Sequence, residues 1–282
     1  MILGVVSVSL SSLFIKLAET APLKIAFYRT FIASFVYLTV NFSKDRKLIT
    51  WSKYHLELII SGFLLALHFA LWISAFEHTT VAGVVVPLLM QPVVIGFFSW
   101  LFFKETVSKK SLVSLAIVLS GILIMNFWDF RITSSFGWGD TLSVLGTIAL
   151  CFYFLFAKKI GKEIGTLKFN FYTYSLATVF LFSFSILKTF SIETLIIMSY
   201  KELLLYILLA VVCSFFGYTF INYSFKQLKA VSVAVGLLGE PLLGILWTSI
   251  FLGEKLTFPQ LIGLLICTLG IWLYFSKTTR II

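Results

Sequence analysis

The chain has 282 residues, 60% of them hydrophobic and 12% charged, and its mean hydropathy is +1.03. That leaves too little polar surface to cover a water-soluble fold, so soluble enzymes and soluble binding domains are excluded. The formal charge of +10 would suit a nucleic-acid partner, but its placement along the chain follows membrane topology instead.

Crossing about 30 Å of hydrocarbon takes roughly 20 residues of helix. Ten apolar stretches of about that length fill the chain, at residues 2–18, 23–42, 56–76, 81–103, 111–127, 138–157, 169–187, 203–225, 231–252 and 261–275. The first lacks a basic flank and a small-residue cleavage site, so a retained helix is expected, not a signal peptide. It is a few residues shorter than the sixth. Cys151, Cys213 and Cys267 fall inside spans with no metal-ligand spacing and read as core thiols.

Basic residues cluster between alternate spans. Lys44, Arg46 and Lys47, then Lys104, Lys109 and Lys110, then Lys158, Lys159 and Lys162, then Lys226 and Lys229, and finally Lys277 and Arg280 all fall on one side. The other side carries only scattered cations such as Lys24, Arg131 and Lys201. By the positive-inside rule both termini are expected in the cytoplasm and the protein in the cytoplasmic membrane. The basic charge is then a topology signal, and no nucleic-acid partner is expected.

The fourth and ninth spans carry the same landmarks at one offset. Pro92 and Pro241, Glu105 and Glu254, and Gly121 and Gly270 each stand 149 residues apart. The segments Leu88-Leu89-Met90-Gln91-Pro92 and Leu237-Leu238-Gly239-Glu240-Pro241 align around the prolines. At the front of each copy, Leu13 to Lys16 answers Leu155 to Lys158 at an offset of 142. A repeat of five spans is odd, so the second copy crosses the membrane in the opposite sense. The fold expected is an all-α integral membrane protein of ten transmembrane helices in two inverted five-helix repeats, residues 1–128 and 136–282.

These features, with Pro22 followed by Arg29 at the start of the second span, resemble the drug/metabolite transporter superfamily and within it the ten-helix EamA-type carriers. The resemblance covers the whole chain. It departs at residues 9–12, where Ser9, Leu10, Ser11 and Ser12 replace a Trp-Gly pair often seen in that family. The resemblance implies a central cavity between two halves and transport by alternating access.

Glu240 is the sharpest candidate for function, because a carboxylate at mid-span costs at least ~2.5 kcal/mol unless it meets a partner, a proton or water. It reads either as a proton-coupling or cation-binding site or as a structural carboxyl bonded to a neighbouring helix. Gln91 takes its place in the first copy. Pro92 and Pro241 lack an amide hydrogen, and each is expected to free the carbonyl four residues back, at Leu88 and Leu237, with Pro87 as a second break. His68 and Trp72 share a helix face, as do Tyr218 and Asn222, and these four join Gln91 and Glu240 as expected substrate-binding residues. Arg29 offers a fork for a carboxylate, but its expected role is gating or structural, by snorkelling or by locking to Glu19 or Glu254. Glu105 and Glu254 are expected to lock helices at their ends, and Pro92 and Pro241 to shape the helices. Ser7, Ser11 and Tyr153 are weaker candidates for polar contacts.

No metal-binding helix pair, nucleophile elbow or phosphate loop is present, so neither catalysis nor a cofactor is expected. The partners expected are the lipid bilayer, a small amino-acid-like or amine-bearing substrate and, on one reading of Glu240, protons. The rival substrates are hydrophobic cations and a nucleotide-derived metabolite; the rival classes are a channel and a membrane scaffold. A monomer is expected, since the repeat already supplies two halves.

Overall fold

In the computed structural model residues 1–44, 53–106, 109–133, 137–189, 198–253 and 257–278 are described, and among them every regular element is helical. In chain order they are α1 (Ile2–Ala18), α2 (Pro22–Lys44), α3 (His55–Ala75), α4 (Val81–Phe103), α5 (Lys109–Thr133), α6 (Trp138–Ile164), α7 (Thr166–Thr189), α8 (Tyr200–Gln227), α9 (Ala230–Leu252) and α10 (Phe258–Thr278). Eight of these are long and apolar enough to cross a membrane; α1 and the 112–125 stretch of α5 are shorter apolar helices. The chain is thus an all-α, multi-pass membrane bundle.

Local chemistry sets the helix ends. α4 stops where Lys104 takes a left-handed conformation (φ 56°), and α9 stops where Gly253, 149 residues later, does the same (φ 70°). Glycine adopts this C-terminal geometry freely and lysine does so at a cost. α8 opens on a capping box. Ser199 Oγ accepts from the Glu202 amide at 3.2 Å, and Glu202 Oε2 accepts from the Ser199 amide at 2.6 Å. α6 runs to Ile164, past the expected limit at residue 157. A hydropathy reading ends the span at Lys158, whereas the backbone turns only at Gly165 (φ 86°), and Lys158 itself is buried in an ion pair.

Four helices are irregular. α1 breaks at Leu10. In α4 a 3-10 segment, Val86–Met90, joins two α-helical pieces, Val81–Val85 and Gln91–Phe103; in α9 a turn at Leu238 separates Ala230–Leu237 from Gly239–Leu252. α8 widens into a π-helix over Leu209–Tyr218, a distortion common at functional sites.

α5 packs on α10, α2 on α7 and α8, α3 on α6 and α7, α1 on α8 and α9, and α4 on α9 and α6. The α5–α10 contact is antiparallel and close. A methyl group added at Gly121 would sit 2.8 Å from the Gly263 carbonyl, and one at Gly270 would sit 3.1 Å from the Ser114 carbonyl. The contacts of α6 on α3 recur for α1 on α8. Gly146 lies against His68 and Trp72, while Gly4, 142 residues earlier, lies against Gly217 and Ile221, 149 residues later.

Candidate functional site

α4 and α9 cross antiparallel at their breaks, the first piece of each packing on the second piece of the other. Gln91 opens the second piece of α4 and Glu240 lies in the first turn of that of α9, so each sits at a half-helix N-terminus, where the helix dipole favours negative charge. Gln91 is 1% exposed, and both its amide atoms are buried without a hydrogen-bond partner. Glu240 is half-buried, while its neighbours Leu237, Leu238, Pro241 and Leu242 are buried.

The proline effect differs from expectation at Leu88. Its carbonyl is not free, because the Gln91 amide donates to it in the 3-10 turn. The carbonyl that needs help is Val84, whose 3-10 donor would be Pro87, a residue with no N–H. Trp72 Nε1 donates to it at 3.2 Å and Ser143 Oγ at 2.6 Å. Trp72 is thereby fixed across the α4 break, and its ring stacks on His68 with centroids 5.8 Å apart. His68 bonds through Nδ1 to the Gly146 carbonyl at 2.9 Å, which makes Nδ1 the donor and leaves Nε2 able to accept.

Arg29 is 1% exposed. It neither snorkels nor locks to Glu19, whose ion-pair partner is the exposed Lys201 at 3.8 Å. Its Nε donates to Ser214 Oγ on the π-helical segment at 2.8 Å, and its guanidinium lies over the Phe69 ring at 4.3 Å and near the Tyr218 ring at 5.9 Å. The Phe69 ring that it covers also meets the His68 ring, with centroids 5.0 Å apart. Arg29, Phe69, His68 and Tyr218 therefore form one contiguous cluster, with Trp72 against His68.

Asn222 belongs elsewhere. It donates to Tyr153 Oη and to Asn170 Oδ1, both at 2.7 Å, and Asn170 in turn donates to Tyr37 Oη at 2.9 Å. Tyr37 completes the chain by donating to the Ser214 and Phe215 carbonyls at 3.1 and 3.2 Å, on the widened part of α8. This network ties α2, α6, α7 and α8 together. Tyr37, Asn170, Tyr174 and Ser214 were not among the expected site residues. An asparagine inside an apolar span was the available signal, because such a side chain seeks an interhelical partner.

Glu105 lies at the end of α4, apart from this cluster. It pairs with Lys158 at 2.8 Å and accepts from the Ala230 amide at 2.8 Å, while Lys158 also donates to the Leu228 carbonyl at 2.7 Å. Three chain segments thus meet at one ion pair. Glu254, its repeat partner, lies outside the described residues. Cys151, Cys213 and Cys267 are free and buried. Among the described residues no cluster of His, Cys, Asp or Glu could hold a metal ion.

A bundle of apolar crossing helices with broken helices meeting near buried polar groups defines a membrane carrier class. The EamA-like transporter family profile matches residues 1–127 and 137–276. The chain belongs to the EamA-like transporter family, within the drug/metabolite transporter superfamily, a family of transporters and not of enzymes. It is 26% identical over 274 residues to an uncharacterized transporter of Archaeoglobus fulgidus, covering 95% of this chain and 93% of that one. It is 23% identical over 273 residues to the uncharacterized transporter YvbV of Bacillus subtilis, covering 93% and 85%. A solved crystal structure 14% identical in sequence superposes with a TM-score of 0.77 over 99% of this chain and 96% of that one, which shows a shared fold.

Proposed function

We propose that this protein is a secondary transporter that moves a small amine-bearing or amino-acid-like metabolite across the cytoplasmic membrane by alternating access. It is built as two inverted five-helix repeats, residues 1–128 and 136–282, with both termini cytoplasmic, and it works as a monomer. The antiparallel pairing of α5 with α10 supports the inversion, and so does the recurrence of the α6–α3 glycine contacts in α1–α8. The positive-inside charge pattern supports the orientation.

The observation that carries the reading is Glu240, the half-buried carboxylate at the α9 break, where α4 and α9 cross. Broken helices at mid-membrane are where carriers of inverted-repeat type hold their cargo. Glu240 pairs with the substrate amine or exchanges a proton, Gln91 offers an amide from the other half, and His68, Trp72 and Tyr218 wall the site. Asn222 sets the position of α8 through the tyrosine and asparagine network. The aromatic walls of Phe69, Trp72 and Tyr218 beside one carboxylate also suit a lipophilic cation, which is the second reading. Uptake by proteoliposomes carrying wild type or Glu240→Gln tests the site. We expect loss of transport in the variant, and transport at the wild-type rate would refute the assignment.

A further inference from the structure

Glu105 and Lys158 join the two repeats at one end of the bundle. Glu105, just past the end of α4, belongs to the first repeat; Lys158 on α6, and Leu228 and Ala230 where α8 turns into α9, belong to the second. The pair is 2.8 Å long, and each partner also holds the backbone of that turn, Lys158 at the Leu228 carbonyl and Glu105 at the Ala230 amide. The Phe103 ring lies 5.9 Å from Lys158 Nζ. Deeper along the same two helices, Phe98 of α4 meets Phe152 of α6 with ring centroids 4.7 Å apart. An ion pair backed by an aromatic contact thus closes the end of the bundle at which the basic residues cluster.

Among the described residues the corresponding contact is unmade at the other end. Lys16, the counterpart of Lys158 at the offset of 142, forms no ion pair there. Thr79, the counterpart of Leu228 at the offset of 149, lies in a loop held by α6, with its Oγ1 donating to Asp140 Oδ1 at 3.1 Å. Other ion pairs do not separate the two ends, since Lys159–Glu57 at 3.7 Å and Lys201–Glu19 at 3.8 Å join the α6–α3 and α1–α8 contacts that both repeats make. A buried ion pair adds little net stability to one fold, but a pair made in one arrangement and broken in another biases the balance between them. We propose that Glu105 and Lys158, with Phe98 and Phe152 beneath them, are the cytoplasmic gate of the carrier, shut in this structure and broken in each cycle when the repeats part at that end. The proposal rests on the reading of alternating access with both termini cytoplasmic. In the open arrangement both charges meet water, so neither is left buried alone.

Cys151 reports on this gate. It is buried on α6, seven residues before Lys158 and hence about two turns deeper on the same helix face, next to Phe152. Cys267 is the control, buried between α5 and α10 with its Sγ 3.5 Å from the Val118 carbonyl. The experiment follows labelling of both thiols in the full chain by a membrane-impermeant maleimide, in intact cells and in inside-out membrane vesicles, with modified peptides resolved by mass spectrometry. In wild type both thiols should react slowly from either side. Lys158→Met should speed Cys151 labelling about tenfold or more in inside-out vesicles and leave Cys267 protected. Glu105→Gln, which keeps an acceptor for the Ala230 amide, should act in the same direction and decides the matter where Lys158→Met fails to fold. Lys16→Met, which removes no ion pair in this arrangement, should leave Cys151 as slow as in wild type. Rapid labelling of Cys151 in wild type, unchanged labelling in the gate variants, or exposure of Cys151 by Lys16→Met overturns the proposal. Equal acceleration of Cys151 and Cys267 also overturns it, because that marks a structural pair whose loss loosens the whole bundle. If the gate variants expose Cys151 to reagent from outside the cell, the cytoplasmic placement falls with the orientation reading, whereas the gate itself stands.

Discussion

The ion pair at the end of α4 makes a quantitative prediction. Lys158 Nζ lies 2.8 Å from Glu105 and 2.7 Å from the Leu228 carbonyl, with a side chain only 5% exposed against 16% for Glu105. Lys158→Met keeps the length of the side chain but strands the Glu105 carboxylate with one remaining donor, the Ala230 amide. Removing one partner of a fully buried pair costs about 3–5 kcal/mol, and the partial exposure of Glu105 brings this to roughly 2–3 kcal/mol. At about 2–4 °C per kcal/mol, the melting temperature should fall by about 5–10 °C. Glu105→Gln should fall by a smaller amount, because the Ala230 amide keeps an acceptor. In the double variant the losses should overlap, with a coupling of about 1.5 kcal/mol in a thermal-shift cycle. Lys159, the next residue, pairs with Glu57 at 3.7 Å while 54% exposed, and its Lys159→Met control should cost no more than about 1 kcal/mol. Additivity within ~0.5 kcal/mol for Lys158 and Glu105, or equal losses at Lys158 and Lys159, would refute the claim that this pair locks three segments.

Three further substitutions concern packing and backbone, and circular-dichroism melts of the purified protein check each. At Gly121→Ala the new methyl group meets the Gly263 carbonyl at 2.8 Å and Cys267 Sγ at 2.7 Å, so α5 and α10 must part at a cost of about 1–3 kcal/mol; Gly161→Ala, with nothing within 4 Å, should stabilise α6 by about 0.5–1 kcal/mol. Lys104→Gly removes a left-handed lysine and should raise stability by up to about 1 kcal/mol, whereas a fall of that size would show that the lysine side chain outweighs its backbone strain.

The helices were legible because bilayer thickness fixes their length and apolar composition marks it. Paired prolines at 92 and 241 marked the α4 and α9 breaks, and the paired residues 104 and 253 coincide with matching stops. Less legible was anything set by partners distant in the chain. Pro92 alone points to the Leu88 carbonyl, but the preceding 3-10 turn hands that carbonyl the Gln91 amide and moves the deficit to Val84, where Trp72 and Ser143 answer it. Tyr37 reaches across 177 residues to Ser214, and no local pattern in α2 encodes that bond. The π-helical widening of α8 has the same character, since its carbonyls are met by a tyrosine from another helix.

On the inverted-repeat reading, symmetry and its violations do different jobs. The close glycine contacts repeat: Gly146 on His68 and Trp72 matches Gly4 on Gly217 and Ile221, and Gly121 on α10 matches Gly270 on α5. A scaffold whose two halves can exchange packing arrangements has inward-open and outward-open states of nearly equal energy, which a carrier needs if a modest differential affinity is to shift one into the other. The chemistry does not repeat. His68 faces Gly217 in the alignment, Phe69 faces Tyr218, Trp72 faces Ile221 and Gln91 faces Glu240. Because a symmetric scaffold contributes equally to both states, any bias between them must come from these unmatched positions and from unequal ends such as Lys104 against Gly253. Substrate choice and resting orientation should therefore respond to substitutions at unmatched positions, while substitutions at the repeated glycines should destabilise both orientations alike.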